Sequence, residues 1–236
     1  MPVEAVRPLV PSALDLDCHD GRAWITLIPF LIAESRPAAL PRLLASAFLE
    51  TNLRTYVRGP DGDAGIYFFS LEAESLLAVA AARLVYGLPY FFADMSRHVD
   101  GGRIAYASRR RGRRRAELQV TWTVGDPTGA AAPGTRDHFL IERYSLYVAR
   151  RRGLYRGRVR HAPYPLCAAT VERIATSLPA AAGLPEPAGS PLCHHSPGVD
   201  VEIFGLTSVP TRQRAAVKAI LAGSDTRSLI ASEKAG

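Results

Sequence analysis

The sequence predicts an α+β fold made mostly of antiparallel β structure. Three observations lead there. Runs of β-type sequence outnumber helical ones, turn signals of the hairpin kind separate consecutive runs, and no regular helical crossover joins them. No internal repeat is visible.

The elements follow in order. Asp20-Gly21 signals a turn, and Arg22 to Phe30 reads as a strand ending at Pro29. Pro37 to Phe48 reads as a loop and short helix, with Leu40, Leu43, Leu44, Ala47 and Phe48 at helical spacing. Glu50 to Val57 alternates as a strand. Asp61 to Gly65 supplies a hairpin turn, and Ile66 to Leu71 returns. Glu72 to Tyr86 is the clearest helix. Its apolar face is Leu76, Leu77, Ala80, Ala81 and Leu84, and Gly87 stops it. Pro89-Tyr90 leads into a second β region. Arg103 to Arg109 and Arg114 to Val124 pair around an arginine turn, and Asp126 to Gly134 is a loop. Asp137 to Tyr144 reads as a helix that can continue to Tyr147. Gly157 to His161 is a short strand, Val171 to Leu178 fits helix or strand, and Val199 to Leu206 is a last strand. Arg212 to Leu221 is weakly amphipathic and reads as tail.

Composition narrows the class. The 236 residues are 47% hydrophobic and 22% charged, which suits a folded chain with a sizeable core. No apolar stretch reaches the roughly 20 residues of a membrane span, and the first ten residues lack the pattern of a signal peptide, so a cytoplasmic protein is expected. Three cysteines at wide spacing make no disulfide framework. Cys193-His194-His195 is the one tight run of metal-ligand types. Neighbours on a strand point to opposite faces, so no metal is expected there.

The net charge is +7, and the only lysines are Lys218 and Lys234. Six arginines surround Gly112, from Arg109 to Arg115. Either they form a phosphate-binding patch or they are a solvated hairpin tip. No nucleic-acid-binding motif accompanies them, so specific nucleic-acid binding is not expected. Dinucleotide, P-loop, HExxH and nucleophile-elbow signatures are absent, and no cofactor is expected.

Several motifs in one order carry a resemblance. They are Asp20-Gly21-Arg22-Ala23-Trp24, Pro29-Phe30, Glu50 to Val57, Tyr67 to Leu71, Tyr86-Gly87-Leu88-Pro89-Tyr90, and Phe139 to Tyr144. Arg156 to His161, Pro163-Tyr164-Pro165-Leu166, and Ser196 to Val201 complete the set. Together they resemble the YqjF-like bacterial proteins of unknown function, within the acetoacetate decarboxylase-like superfamily. The resemblance covers about Arg7 to Leu206. It implies one β domain over residues 1–206, a curved sheet closing into a partial barrel around a pocket, and a weakly helical or disordered tail over 207–236. The decarboxylase uses a lysine Schiff base. Neither lysine here lies in the matching region, and arginine offers no free amine, so that chemistry is not expected.

Period two puts Glu50, Asn52, Arg54 and Tyr56 on one strand face and Thr51, Leu53, Thr55 and Val57 on the other. The second set suits a core. The first is solvent-facing in an open sheet and lumen-facing in a barrel, which the resemblance favours. Arg54 could grip a carboxylate or phosphate, with Glu50 as acceptor or general base. Phe68 and Ser70 are expected to share a face. Tyr90 could present its hydroxyl to the pocket, Glu142 could pair with the sheet beside Arg143, and His161 is an acid/base candidate at a strand end. The expected ligand is a small carboxylated or polar metabolite. An enzyme of lyase, isomerase or hydrolase type using Glu50, Arg54 and His161 is the alternative.

Overall fold

The computed structural model describes residues 1–35 and 46–210. The first residues, which show little pattern in the sequence, form a short helix, α1 (Val3–Val6), and a 3₁₀ turn over Arg7–Leu9. Among the described residues thirteen strands follow and join into one sheet: β1 (Asp15–Leu16), β2 (Ile25–Ser35), β3 (Ser46–Arg58), β4 (Ala64–Ala73), β5 (Tyr90–Asp100), β6 (Arg103–Arg110) and β7 (Glu117–Gly129). After them come β8 (Ser145–Arg150), β9 (Gly153–Arg160), β10 (Leu166–Thr176), β11 (His194–His195), β12 (Glu202–Ile203) and β13 (Thr207–Val209). Three more short helices interrupt them: α2 (Leu76–Ala81), α3 (Arg136–Ile141) and α4 (Leu178–Ala181).

Most neighbours are antiparallel, as expected from the hairpin signals. The exceptions meet at β4. One edge of β4 takes β3, and the other is shared by two parallel partners: β8 beside Ile66 and Tyr67, and β5 beside Leu71 to Ala73. From there one wing runs β5-β6-β7-β10-β11 and the other β8-β9-β12. Among the described residues no ladder joins the wing ends, so the curved sheet stays a partial barrel. Between the diverging partners of β4 lies a cavity of about 290 Å³, lined by Tyr67, Phe69, Leu88, Pro89 and Val148.

The largest core cluster fills one side of β3. Leu49, Leu53 and Val57 pack there with Ile104 and Tyr106 of β6, with Leu118, Val120 and Trp122 of β7, and with Val6, Val10 and Leu14 from the N-terminal segment. The opposite side of β3 and β4 carries two smaller clusters. Tyr56, Ile66 and Phe68 pack with Leu140, and Phe48 and Ala73 pack with Val79 of α2.

Several expectations are corrected. Ala47 and Phe48 belong to β3, and the rest of the expected helix lies outside the described residues. β2 runs past Pro29 to Ser35. It pairs with β3 alone, and an edge strand tolerates a missing N–H. Glu72 lies in β4, and the helix begins at Leu76 behind a Ser75 cap. Gly87 does stop it, in the left-handed conformation at φ 64°. The expected apolar face of that helix, however, is exposed at Leu76, Leu77 and Leu84, and Val79 is its buried anchor. Helix α3 ends at Ile141, so Arg143 and Tyr147 are not helical partners. Tyr147 is a core residue of β8. Residues 171–176 are strand. The tail from Thr211 lies outside the described residues, whereas Thr207–Val209 adds a strand to β9.

Phe68 and Ser70 do not share a face. Leu53 pairs with Ser70 and Arg54 with Phe68, which leaves Phe69 as an extra residue. This bulge flips the side-chain alternation of β4 at that point. Phe68 therefore lies on the Arg54 side, while Ser70 and Glu72 turn to the side of Leu53 and the main core.

Candidate functional site

The polar face of β3 is enclosed but not closed off. Glu50, only 2% exposed, accepts a hydrogen bond at Oε2 from the Tyr90 hydroxyl at 3.0 Å. Burial pushes the Glu50 carboxyl up to about 8, aided by the charge of Glu72 and opposed by the Tyr90 hydrogen bond. A carboxyl raised this far holds its proton at neutral pH, which runs against the general-base expectation. The Tyr90 hydroxyl is itself pushed well above its ordinary range by burial and by Glu50.

Asn52 and Arg54 are half-buried on the same face. Arg54 Nη2 donates to the Leu140 carbonyl at 2.9 Å, and the Tyr56 hydroxyl donates to that same oxygen at 2.8 Å. The row is thus fastened to α3. Two of its polar atoms, Asn52 Oδ1 and Arg54 Nε, are enclosed and have no partner among the described residues. Asn52 and Arg54 stand two residues apart, about 7 Å along a strand.

Glu142, His161 and two tyrosines gather at the Arg54 end. Glu142 accepts from the Tyr144 hydroxyl at 2.6 Å and from the Tyr164 N–H at 3.0 Å. His161 stacks on Tyr144 with ring centroids 4.5 Å apart and lies 4.8 Å from Tyr164. Its Nδ1 contacts the Ala162 carbonyl at 2.9 Å. Burial raises the Tyr164 hydroxyl, and the charge of Arg54 pulls it back. Glu50 lies at the other end, four residues or about 13 Å along the strand from Arg54. The structure therefore groups Arg54, Tyr56, Glu142 and His161 at one end and Glu50 with Tyr90 at the other, and Asn52 lies between.

A second buried charge cluster was not foreseen. Turned inward by the Phe69 bulge, the fully buried Glu72 accepts at Oε1 from Arg110 Nε at 3.0 Å and also from Arg110 Nη2. Arg110 is 4% exposed and lies 3.8 Å from the centroid of the Phe91 ring. Burial raises the Glu72 carboxyl, and Arg110 opposes the rise. On the core side Tyr106 ties into β3: its hydroxyl donates to the Glu50 backbone carbonyl at 2.8 Å and accepts from Thr51 at 3.1 Å.

The arginine run is therefore not one uniform hairpin tip. Arg109 and Arg111 both hold Asp94 at the surface, while Arg110 turns into the core. The signal was present in β6, where Ile104, Tyr106, Ser108 and Arg110 occupy alternate positions and all are buried. In the Cys193-His194-His195 run the side chains diverge. His194 faces Asp137 at 3.2 Å, and His195 lies against Trp122.

The curved, mostly antiparallel sheet has the fold of solved acetoacetate decarboxylase-like proteins. The enduracididine biosynthesis enzyme MppR, in a structure with HEPES buffer bound, matches it with a TM-score of 0.52 at 14% identity, covering 86% of this chain and 77% of that one. An acetoacetate decarboxylase-like enzyme from Sphingomonas wittichii RW1 gives 0.51 at 16% identity, covering 88% and 86%. By sequence the chain belongs to the DUF2071 family, described as an uncharacterized conserved protein, which matches residues 1–200. The uncharacterized protein YqjF of Bacillus subtilis (strain 168) is 40% identical over 205 residues, 86% of this chain and 84% of that protein. No helix among the described residues is long and apolar enough to cross a membrane.

Proposed function

We propose that the polar row of β3 binds a small carboxylated or polar metabolite, with Arg54 as its anion contact and no Schiff base. One observation carries this reading: a donor, Arg54 Nε, and an acceptor, Asn52 Oδ1, are both enclosed on one strand face and without a partner among the described residues. An unpaired enclosed polar group costs roughly 1–3 kcal/mol, and a ligand that offers an anion beside a hydroxyl or ammonium would meet both. Both lysines of the chain, Lys218 and Lys234, lie outside the described residues and outside the stretch that the family matches.

Thermal melts against a panel of small carboxylates test this. Hydroxy- and amino-carboxylates should raise the melting temperature of the parent and leave that of Arg54→Met unmoved. Equal shifts in both proteins would remove Arg54 from the site.

A second reading, acid/base catalysis, draws on Glu50. A carboxyl that titrates near 8 can deliver a proton at neutral pH. His161 stands with Glu142 at the far end of the row, so Glu50 would act with Tyr90 rather than with the histidine. Turnover that is lost in Glu50→Gln and retained in His161→Asn would support it.

A further inference from the structure

We infer that the ligand of the β3 row is a 2-hydroxycarboxylate with a branched or aromatic side group, which lies over Ile28 and Phe30 of β2; this rests on the anion reading of Arg54 and adds the substrate class. The strand register places those residues. β2 sets Thr26 opposite Arg54, Ile28 opposite Asn52 and Phe30 opposite Glu50, and directly opposed residues share a face. β4 flanks the row on its other side, with Phe68 opposite Arg54, Leu71 opposite Asn52 and Ala73 opposite Glu50.

The two flanks differ in what covers them. Phe68, Leu71 and Ala73 are buried within the two smaller core clusters. On β2, Ile25 and Leu27 pack on the main core from the opposite face, and Ile32 packs on the Phe48 cluster. Ile28 and Phe30 are half-buried and join none of the three clusters among the described residues. β2 pairs with β3 alone, so among the described residues no strand lies on their outer flank. A single apolar residue at a surface is ordinary. Two neighbours on one face, beside enclosed polar atoms without partners, have the composition of a ligand site, with apolar walls and a few placed polar groups.

Polarity is sorted along the row. At the Arg54 end the Thr26 hydroxyl pairs with that of Tyr56, and Arg54 Nε suits a carboxylate oxygen. Asn52 Oδ1 needs a donor, and a hydroxyl on the carbon beside the carboxylate supplies one. Hydrogen bonds of about 3 Å at each end let these two groups bridge the roughly 7 Å between Arg54 and Asn52. The side group on the same carbon then continues over Ile28, opposite Asn52, toward Phe30. A hydroxyl fits better than an ammonium, which calls for a carboxylate. Of the two carboxyls near the row, Glu50 holds its proton and is bonded by Tyr90, and Glu142 already accepts at both oxygens.

Isothermal titration calorimetry of the full chain with lactate, 2-hydroxyisocaproate and 3-phenyllactate tests this. Each buried methylene should tighten binding about fourfold, so the two larger acids should bind at least about tenfold more tightly than lactate. Leucine and phenylalanine, which carry an ammonium in place of the hydroxyl, should bind at least about tenfold more weakly than the matching hydroxy acids. Phe30→Ala should erase most of the gain with size and leave lactate binding unchanged. Ile28→Thr, which keeps a β-branched residue in the strand, gives the same reading if Phe30→Ala fails to fold. Equal affinity for the three hydroxy acids, with Arg54→Met still abolishing binding, would overturn the apolar side group and leave the anion reading intact. Leucine bound as tightly as 2-hydroxyisocaproate would overturn the choice of a hydroxyl. A size dependence that Arg54→Met leaves untouched, or no binding of any of these acids, would overturn both the inference and the anion reading beneath it.

Discussion

Arg110 and Arg54 both reach the β3–β4 sheet, from opposite faces. Arg110 is buried against a single carboxylate and an aromatic ring, and its fork is engaged by Glu72. Arg54 is half-buried and anchored through Nη2 to the Leu140 carbonyl, and its Nε has no partner among the described residues. The two differ in what removal leaves behind. Without Arg110, a fully buried carboxylate loses its counter-charge. Without Arg54, the Leu140 carbonyl still accepts from Tyr56. The first arginine is built into the fold, and the second holds one backbone carbonyl that a tyrosine also holds.

Substitutions can break or sharpen that contrast. Arg110→Met should cost about 3–5 kcal/mol in urea unfolding by orphaning Glu72, and adding Glu72→Gln should restore most of the loss. A single variant within 1 kcal/mol of the parent would mean that the pair contributes little.

The next effect is on pH. The Glu50 carboxyl is raised on folding from 4.5 to about 8, so the native state binds the extra proton between those values. Stability from this group is full below about pH 4.5, declines as pH rises through that window, and is flat above about 8. Glu50→Gln should remove a large part of that decline and gain the variant a few kcal/mol relative to the parent at pH 8. Denaturant melts at pH 5 and pH 8 measure it, and parallel slopes in the two proteins would contradict the burial of a proton there.

Arg54→Met should leave stability within about 1 kcal/mol of the parent, since one backbone hydrogen bond is lost and its acceptor stays satisfied. A loss of 3 kcal/mol or more would place Arg54 in the same structural class as Arg110. Smallest of all, replacing Arg113, Arg114 and Arg115 by serine should change stability by no more than about 0.5 kcal/mol, because these side chains stand in solvent. Affinity for a polyanion such as heparin should fall in the same variant, with a shallower dependence on salt.

Much of the fold was legible where alternation and turn chemistry agreed. The Glu50 to Val57 part of β3, the β3–β4 hairpin and the stop at Gly87 stand where the sequence placed them, while β3 starts earlier, at Ser46, and β7 runs on to Gly129 through part of the expected loop. The failures share a cause, which is that tertiary context settles which face is covered. Periodicity around Leu76, Leu77 and Leu84 identified an apolar stripe but could not say that Val79 would anchor the helix instead. Glu72 read as the start of a helix because the Phe69 bulge, which turns it inward, leaves no mark on composition. Val6, Val10 and Leu14 join the main core from a segment whose short helix and turn leave no regular period to read. Of the candidate site, the residues of the β3 row were legible from alternation alone. Their division into two ends was not, because Tyr90, Glu142 and His161 reach β3 only through long-range packing.

The shared edge of β4 sets an order of assembly. Its pairing with β5 closes a short loop of chain, whereas its pairing with β8 joins segments about 80 residues apart. Loop closure and contact order both make the second pairing the slow one. The β3–β4–β5 unit can form early and wait as a template, with half of one strand edge open, until β8 and β9 arrive. During that interval the open edge is the part of the molecule most prone to mispair with another chain.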